Sequence, residues 1–251
     1  MNTVNVFLSK HGLDNDLVVV RSSSRAKRLI FKSSLKKGVE IIVPNGADPL
    51  WVAKKTEDRL PWIKTALTGL RKKRKQLHPT RIHLKATGEN WSIEYVNQTQ
   101  LTTDLKPSED RLLKVCKNPT DVYYVPRVLQ SWIQKQARAS LFPWLDSLAK
   151  DRELHFNRIY VRNQVSRWGS CSEKRNISLN QNLLFLSRQL VEYVLHHELT
   201  HLDHMNHSPI FWSTLGDIVP NCMKLRDEIK VLDPENIPMW ASPGIVPRVL
   251  G

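Results

Sequence analysis

Along the first fifty residues the apolar and β-branched side chains fall in three short runs, Leu17 to Arg21, Arg28 to Lys32 and Val39 to Val43. Polar clusters, Ser22-Ser23-Ser24 and Lys36-Lys37-Gly38, separate them, and the pattern predicts a small antiparallel sheet. Pro44-Asn45-Gly46 ends it. Asp48-Pro49 then reads as an N-cap and first helical position, and from Trp51 to Leu70 apolar residues recur at helical spacing, with Pro61 marking a kink or a second start. Ile82 to Leu84 and Trp91 to Val96 flank Thr87-Gly88 as a β-hairpin, followed by a polar link and a strand near Leu112 to Cys116. Pro126 opens a long amphipathic helix through Leu129, Trp132, Ile133, Ala137, Leu141 and Leu145, with a kink expected at Pro143. Phe156 to Arg162 and Ile177 to Asn180 read as strands on either side of VSRWGSCS, Val165 to Ser172. The whole is an α+β pattern: a basic, β-rich N-terminal region with helix over 1–125 and a second region over 126–251, with Pro119 to Pro126 as the expected boundary.

One stretch carries chemistry. Val191 to Trp212, VEYVLHHELTHLDHMNHSPIFW, contains His197-Glu198-Leu199-Thr200-His201, the HExxH pattern. On a helix each residue turns about 100°, which leaves His197 and His201 about 40° apart and about 6 Å along the axis, placed to share one metal ion. Glu198 lies about 100° round, badly placed as a ligand but within reach of a water on that metal, which is the position of a general base. A catalytic zinc site takes three protein ligands and keeps its fourth position open. On a straight helix His204 would fall about 10.5 Å beyond His197, too far for bonds of about 2.0 to 2.1 Å. The chain is instead expected to break after Met205, because Asn206 tolerates the left-handed conformation that ends helices and Ser208-Pro209 starts a new one. His207, in the elbow, is therefore the expected third ligand. The strand Ile177 to Asn180 just ahead of this helix is the expected open edge, where an extended substrate pairs by backbone hydrogen bonds.

Composition adds bounds. The chain has 251 residues, 41% of them hydrophobic, enough for one large or two modest cores. No run approaches the roughly 18 apolar residues of a membrane helix, and MNTVNVFLSKHG lacks the basic and apolar regions of a signal peptide, so a cytoplasmic protein without membrane association is expected. Cys116, Cys171 and Cys222 are odd in number and form no CxxC pair, which points to reduced thiols. The net charge of +14 is uneven: residues 1–80 hold 17 Lys and Arg against 6 Asp and Glu, giving +11, which leaves +3 for 81–251. Such a region attracts nucleic acid or a nucleotide, with 21–37 and 71–75 as the expected surface; the alternative is a solvated basic face.

The ordered set RWGSCS (Arg167 to Ser172), ISLN (Ile177 to Asn180), YVLHHELTHL (Tyr193 to Leu202) and NHSPIFW (Asn206 to Trp212) resembles the YgjP-like metallopeptidase family, zincin-type proteins distantly similar to SprT-like domains. RSSSRAKRLIF, IIVPNG and PWIKTAL near the N-terminus extend the likeness over most of the chain. The resemblance implies a zincin-like hydrolase domain with zinc on His197, His201 and His207 and with Glu198 catalytic. It also implies hydrolysis either of peptides or, as in a UTP-type nucleoside triphosphate pyrophosphatase, of a phosphoanhydride. A nucleic-acid-binding module with a structural zinc ranks third, since it leaves Glu198 without a purpose. Around the site, Cys171 is expected to be a packed turn cysteine rather than a redox thiol, and Trp168 and Trp212 to be core. His196 faces off the metal. Arg167 is open between an oxyanion partner and a turn salt bridge, and Asn180, Asp203 and Asn206 between orienting the imidazoles and capping.

Overall fold

The computed structural model describes residues 6, 8–13, 17–97, 105–118, 121–232 and 237–247. Pro119, the start of the expected boundary, lies outside them. The chain forms two compact units, 1–77 with 119–122, and 78–118 with 123–251. The second region was expected to begin at 126; the second unit also takes in the strands of 81–116.

In the first unit, β1 (Val18–Ser23), β2 (Ile30–Ser34) and β3 (Gly38–Pro44) form a sheet in the order β1-β3-β2. The expectation of an all-antiparallel sheet is corrected: β2 runs antiparallel to β3, but β1 runs parallel to it. Burial sets the order of the strands. Residues 38–42 of β3 are all buried, so this strand takes the centre and needs a partner on both sides. Gly38 makes the tight entry, since its φ is 77° and a Cβ there would strike the Leu17 carbonyl. Asp48 caps α1 (Pro49–Asp58) by accepting from the N–H groups of Leu50 and Trp51, and Pro61 marks a second start, α2 (Leu60–Gln76). Val39 and Ile41 of the sheet pack with Val52, Ile63, Leu67 and Leu70 of the two helices as one core. The run Arg71 to Lys75 is the last part of α2, as expected of a basic helix end, and Arg74 donates to the carbonyls of Leu35 and Lys36.

The second unit holds two sheets and the long helix. β4 (Arg81–Leu84) and β5 (Glu89–Val96) form the expected hairpin, and β5 pairs in parallel with β7 (Leu112–Cys116). β6 (Leu105–Pro107), inside the expected polar link, closes the order β4-β5-β7-β6. α3 (Tyr124–Asp151) runs through Pro143, and its stripe from Leu129 to Leu145 is buried. The second sheet is β8 (Arg158–Arg162), β9 (Gly169–Cys171) and β10 (Asn176–Asn180), in the order β8-β10-β9. β10 is thus central, paired on both sides, and the expected open edge at Ile177 to Asn180 is not there. The edge that faces the histidine helix is β9. That helix is α4 (Arg188–Thr200), followed by α5 (Pro209–Ile218) and α6 (Cys222–Lys230). Among the described residues no helix is long and apolar enough to cross a membrane.

Candidate metal centre

Ser187 caps α4, and the helix buries Leu190, Val191, Val194, Leu195 and Leu199, with His197 and Glu198 on its last turn, Glu198 itself buried. It ends at Thr200, with His201 as C-cap, five residues before the expected break at Met205. Asn206 is not left-handed. The helix needs no such residue because other groups satisfy its end: its own Thr200 Oγ1 donates to the His196 carbonyl at 2.8 Å, Arg152 Nη1 donates to that carbonyl and to Thr200 Oγ1, and Arg175 Nη1 donates to the Leu202 carbonyl at 3.1 Å. Ser208 caps α5 as expected, accepting from the Phe211 N–H, and the elbow between the helices carries His207 back over α4.

His197, His201 and His207 come together, with one ring nitrogen from each lying within 4.8 Å of the others. The Nε2 atoms of His197 and His207 face each other at 2.9 Å. His201 Nδ1 is held by the carbonyl of His204 at 3.1 Å, which assigns its hydrogen to Nδ1 and leaves Nε2 as the donor to a metal. His204 thus serves through its backbone, and its ring stands outside the group. Phe211, fully buried, sits 4.7 to 4.9 Å from all three imidazoles and fixes their base. Burial lowers the pKa of each histidine, for His197 to about 3 with help from the neighbouring rings and Arg226, so all three are neutral near pH 7. Neutral imidazoles with converging lone pairs fit a metal ion.

Glu198 is buried beside them, with Oε2 lacking a hydrogen-bond partner among the described residues. Burial pushes its pKa up to about 8, against the pull of the Arg167 charge. The carboxylate lies against Gly169 of the edge strand, so closely that a Cβ on that glycine would meet Oε1 at 2.5 Å. A cleft of about 540 Å³ opens here, walled by Trp168, Gly169, Tyr193, His197, Glu198, His207, Trp212 and Arg226.

The other expected residues divide. Trp212 is corrected from core to wall: its ring stacks on His207 at 5.5 Å and carries the Arg226 guanidinium 4.8 Å above it. Trp168, half-buried, also lines the cleft. Asn180 orients no imidazole. It caps the turn at Asn182 and donates to the carbonyls of Gln164 and Arg167, which fixes the loop ahead of β9. Arg167 itself is exposed. Cys171 lies in a strand rather than a turn, and burial, with the Glu198 charge, raises its thiol to about 11, which disfavours the reactive thiolate. No disulfide joins the cysteines. Gly169, Tyr193 and Arg226 were not singled out from the sequence, because each enters the site only through tertiary packing.

The family model described as YgjP-like, metallopeptidase domain, matches residues 27–231. The chain belongs to the YgjP-like family. Membership and the three-histidine group together support a metal-dependent hydrolase. A search among curated proteins finds no match.

Proposed function

We propose that this YgjP-like protein is a zinc-dependent hydrolase of peptides in which His197, His201 and His207 hold the metal and Glu198 is the general base. The observation that carries the reading is the Glu198 carboxylate: buried, next in sequence to a metal-facing histidine, raised to about 8, and pressed against an open strand edge. Zinc at the histidines would supply a Lewis acid for the scissile carbonyl and acidify the attacking water. The chain does the rest. Glu198, in its ionised form, accepts the proton of that water and returns it to the leaving amine. The outer edge of β9, unpaired among the described residues, would offer backbone N–H and C=O groups to an extended peptide and so bring one of its carbonyls beside Glu198.

A second reading is favoured by Arg226 and Lys230, two cations on the wall of the same cleft. They suit a phosphoanhydride, as in a nucleoside triphosphate pyrophosphatase. The test is a screen of zinc-loaded protein against a peptide library and against nucleoside triphosphates including UTP, with Glu198→Gln as control. Peptide cleavage that falls on the order of 10² to 10⁴ in the control supports the first reading. Triphosphate hydrolysis without peptide cleavage supports the second, and turnover that survives Glu198→Gln in metal-replete protein overturns both.

A further inference from the structure

Far from the histidines in sequence, the first unit carries two tryptophans on its surface. Trp51 is 42% exposed and Trp62 37% exposed. Each flanks a depression, about 490 Å³ beside Trp51 and about 400 Å³ beside Trp62, and the two depressions share Arg28, Leu29, Phe31 and Arg59 as a common wall. The two depressions adjoin through these residues as a groove, with one indole lining each and the side chains of Arg28 and Arg59 lining both. Local order produces it. Arg59 is the single residue joining α1 to α2, so it places Trp51 and Trp62 on successive helices, while β2 supplies Phe31, whose ring meets Trp62 edge-on at 6.4 Å and 71°. Lys55 also lines the groove, and Asp58 is paired with it at 3.4 Å. Among the described residues three cations against one anion leave the groove positive.

We propose that this groove binds single-stranded nucleic acid, with bases stacked on Trp51 and Trp62 and the phosphates between them on Arg28 and Arg59. Two exposed indoles make sense with a partner that brings flat faces, and two arginines shared by both depressions with one that brings an anion at each repeat. Single strands do both. A duplex keeps its bases stacked inside, and an acidic peptide answers the arginines while leaving the indoles uncovered.

The experiment is an anisotropy titration of a labelled oligothymidylate with the full chain at several salt concentrations, while tryptophan emission is followed. Expected are binding with quenching, weak competition by duplex of equal length, and a loss of about five- to a hundredfold in affinity for each of Trp51→Ala and Trp62→Ala. Arg28→Ala with Arg59→Ala should flatten the salt slope by about 0.7 per phosphate released from contact. The pair Trp51→Phe and Trp62→Phe should bind with less quenching, and it decides the matter even where the alanine variants do not fold. No binding by the parent chain, quenching unchanged in the phenylalanine pair, or competition by duplex or polyglutamate as strong as by the single strand would each overturn the proposal.

Discussion

A Cβ at Gly169 would stand 2.5 Å from Oε1 and 2.7 Å from Cγ of Glu198, so strand β9 can run beside the carboxylate only because this position has no side chain. Gly169→Ala should therefore displace Glu198 without touching the histidines. Displacements of about 1 Å at a catalytic group can cost on the order of 10² in rate, so kcat is expected to fall by about that factor with metal content unchanged. An undiminished kcat would show that Glu198 does not act from this pocket. The histidines make a sharper contrast. His207→Ala removes a facing nitrogen and should abolish stoichiometric metal binding, whereas His204→Ala keeps the carbonyl that holds His201 and should retain it. Metal content measured after dialysis separates the two, and the opposite pattern would reverse the assignment of the third ligand. His197, Glu198 and His201 were legible in the sequence because the helical period fixes their mutual placement. Gly169 was not, since its reason lies in a different element, and neither was Arg226, because nothing local ties residues 222–230 to the histidines.

The elements show the same division. Alternation and capping residues located β1 to β5, both starts around Pro61 and the cap at Ser208, all of which are local. What stayed hidden depends on distant partners: the insertion of β3 between β1 and β2 follows from its burial in the core, and the end of α4 at Thr200 follows from Arg152, 48 residues earlier, and from Arg175, 27 residues before the carbonyl it serves. Arg175 also donates to the His155 carbonyl at 2.8 Å, so one guanidinium ties the loop before β8 to the turn that presents His201. Arg175→Ala frees that turn. Its expected effect is a weakening of metal affinity of roughly tenfold, in line with the loss of supporting groups around metal ligands, with little change in the content of helix. A competition titration against a chromophoric chelator measures it, and parent-like affinity would show that the turn is rigid without the arginine.

At the scale of the molecule the two units answer to different conditions. The second would be coupled to a metal held by the three histidines, since a ligand that binds only the folded form adds stability in proportion to the logarithm of its concentration over Kd. The first is coupled to pH through Glu40, buried on the central strand and paired with Arg21 at 3.2 Å and with Lys32 and Lys37 at 3.6 Å. Burial works against the Glu40 charge, but the Arg21 hydrogen bond and the three cationic charges outweigh it and hold its pKa below the usual carboxylate value. A carboxylate whose folded pKa is depressed contributes stability that is fully present above its unfolded value, near 4.5, and is lost as pH falls through the lower folded value. Glu40→Gln should thus loosen β1 to β3 at neutral pH by roughly 1 to 2 kcal/mol, a charged hydrogen bond reduced by the solvent around its partners. The gap between variant and parent should close as pH falls below the usual carboxylate range. Amide exchange read strand by strand, corrected for its intrinsic pH dependence, tests this in the intact protein: chelation should raise exchange in 188–218 and spare 18–44, while Glu40→Gln should do the reverse. A gap between variant and parent that stays constant down to strongly acid pH would mean that the Glu40 charge is not what holds this sheet.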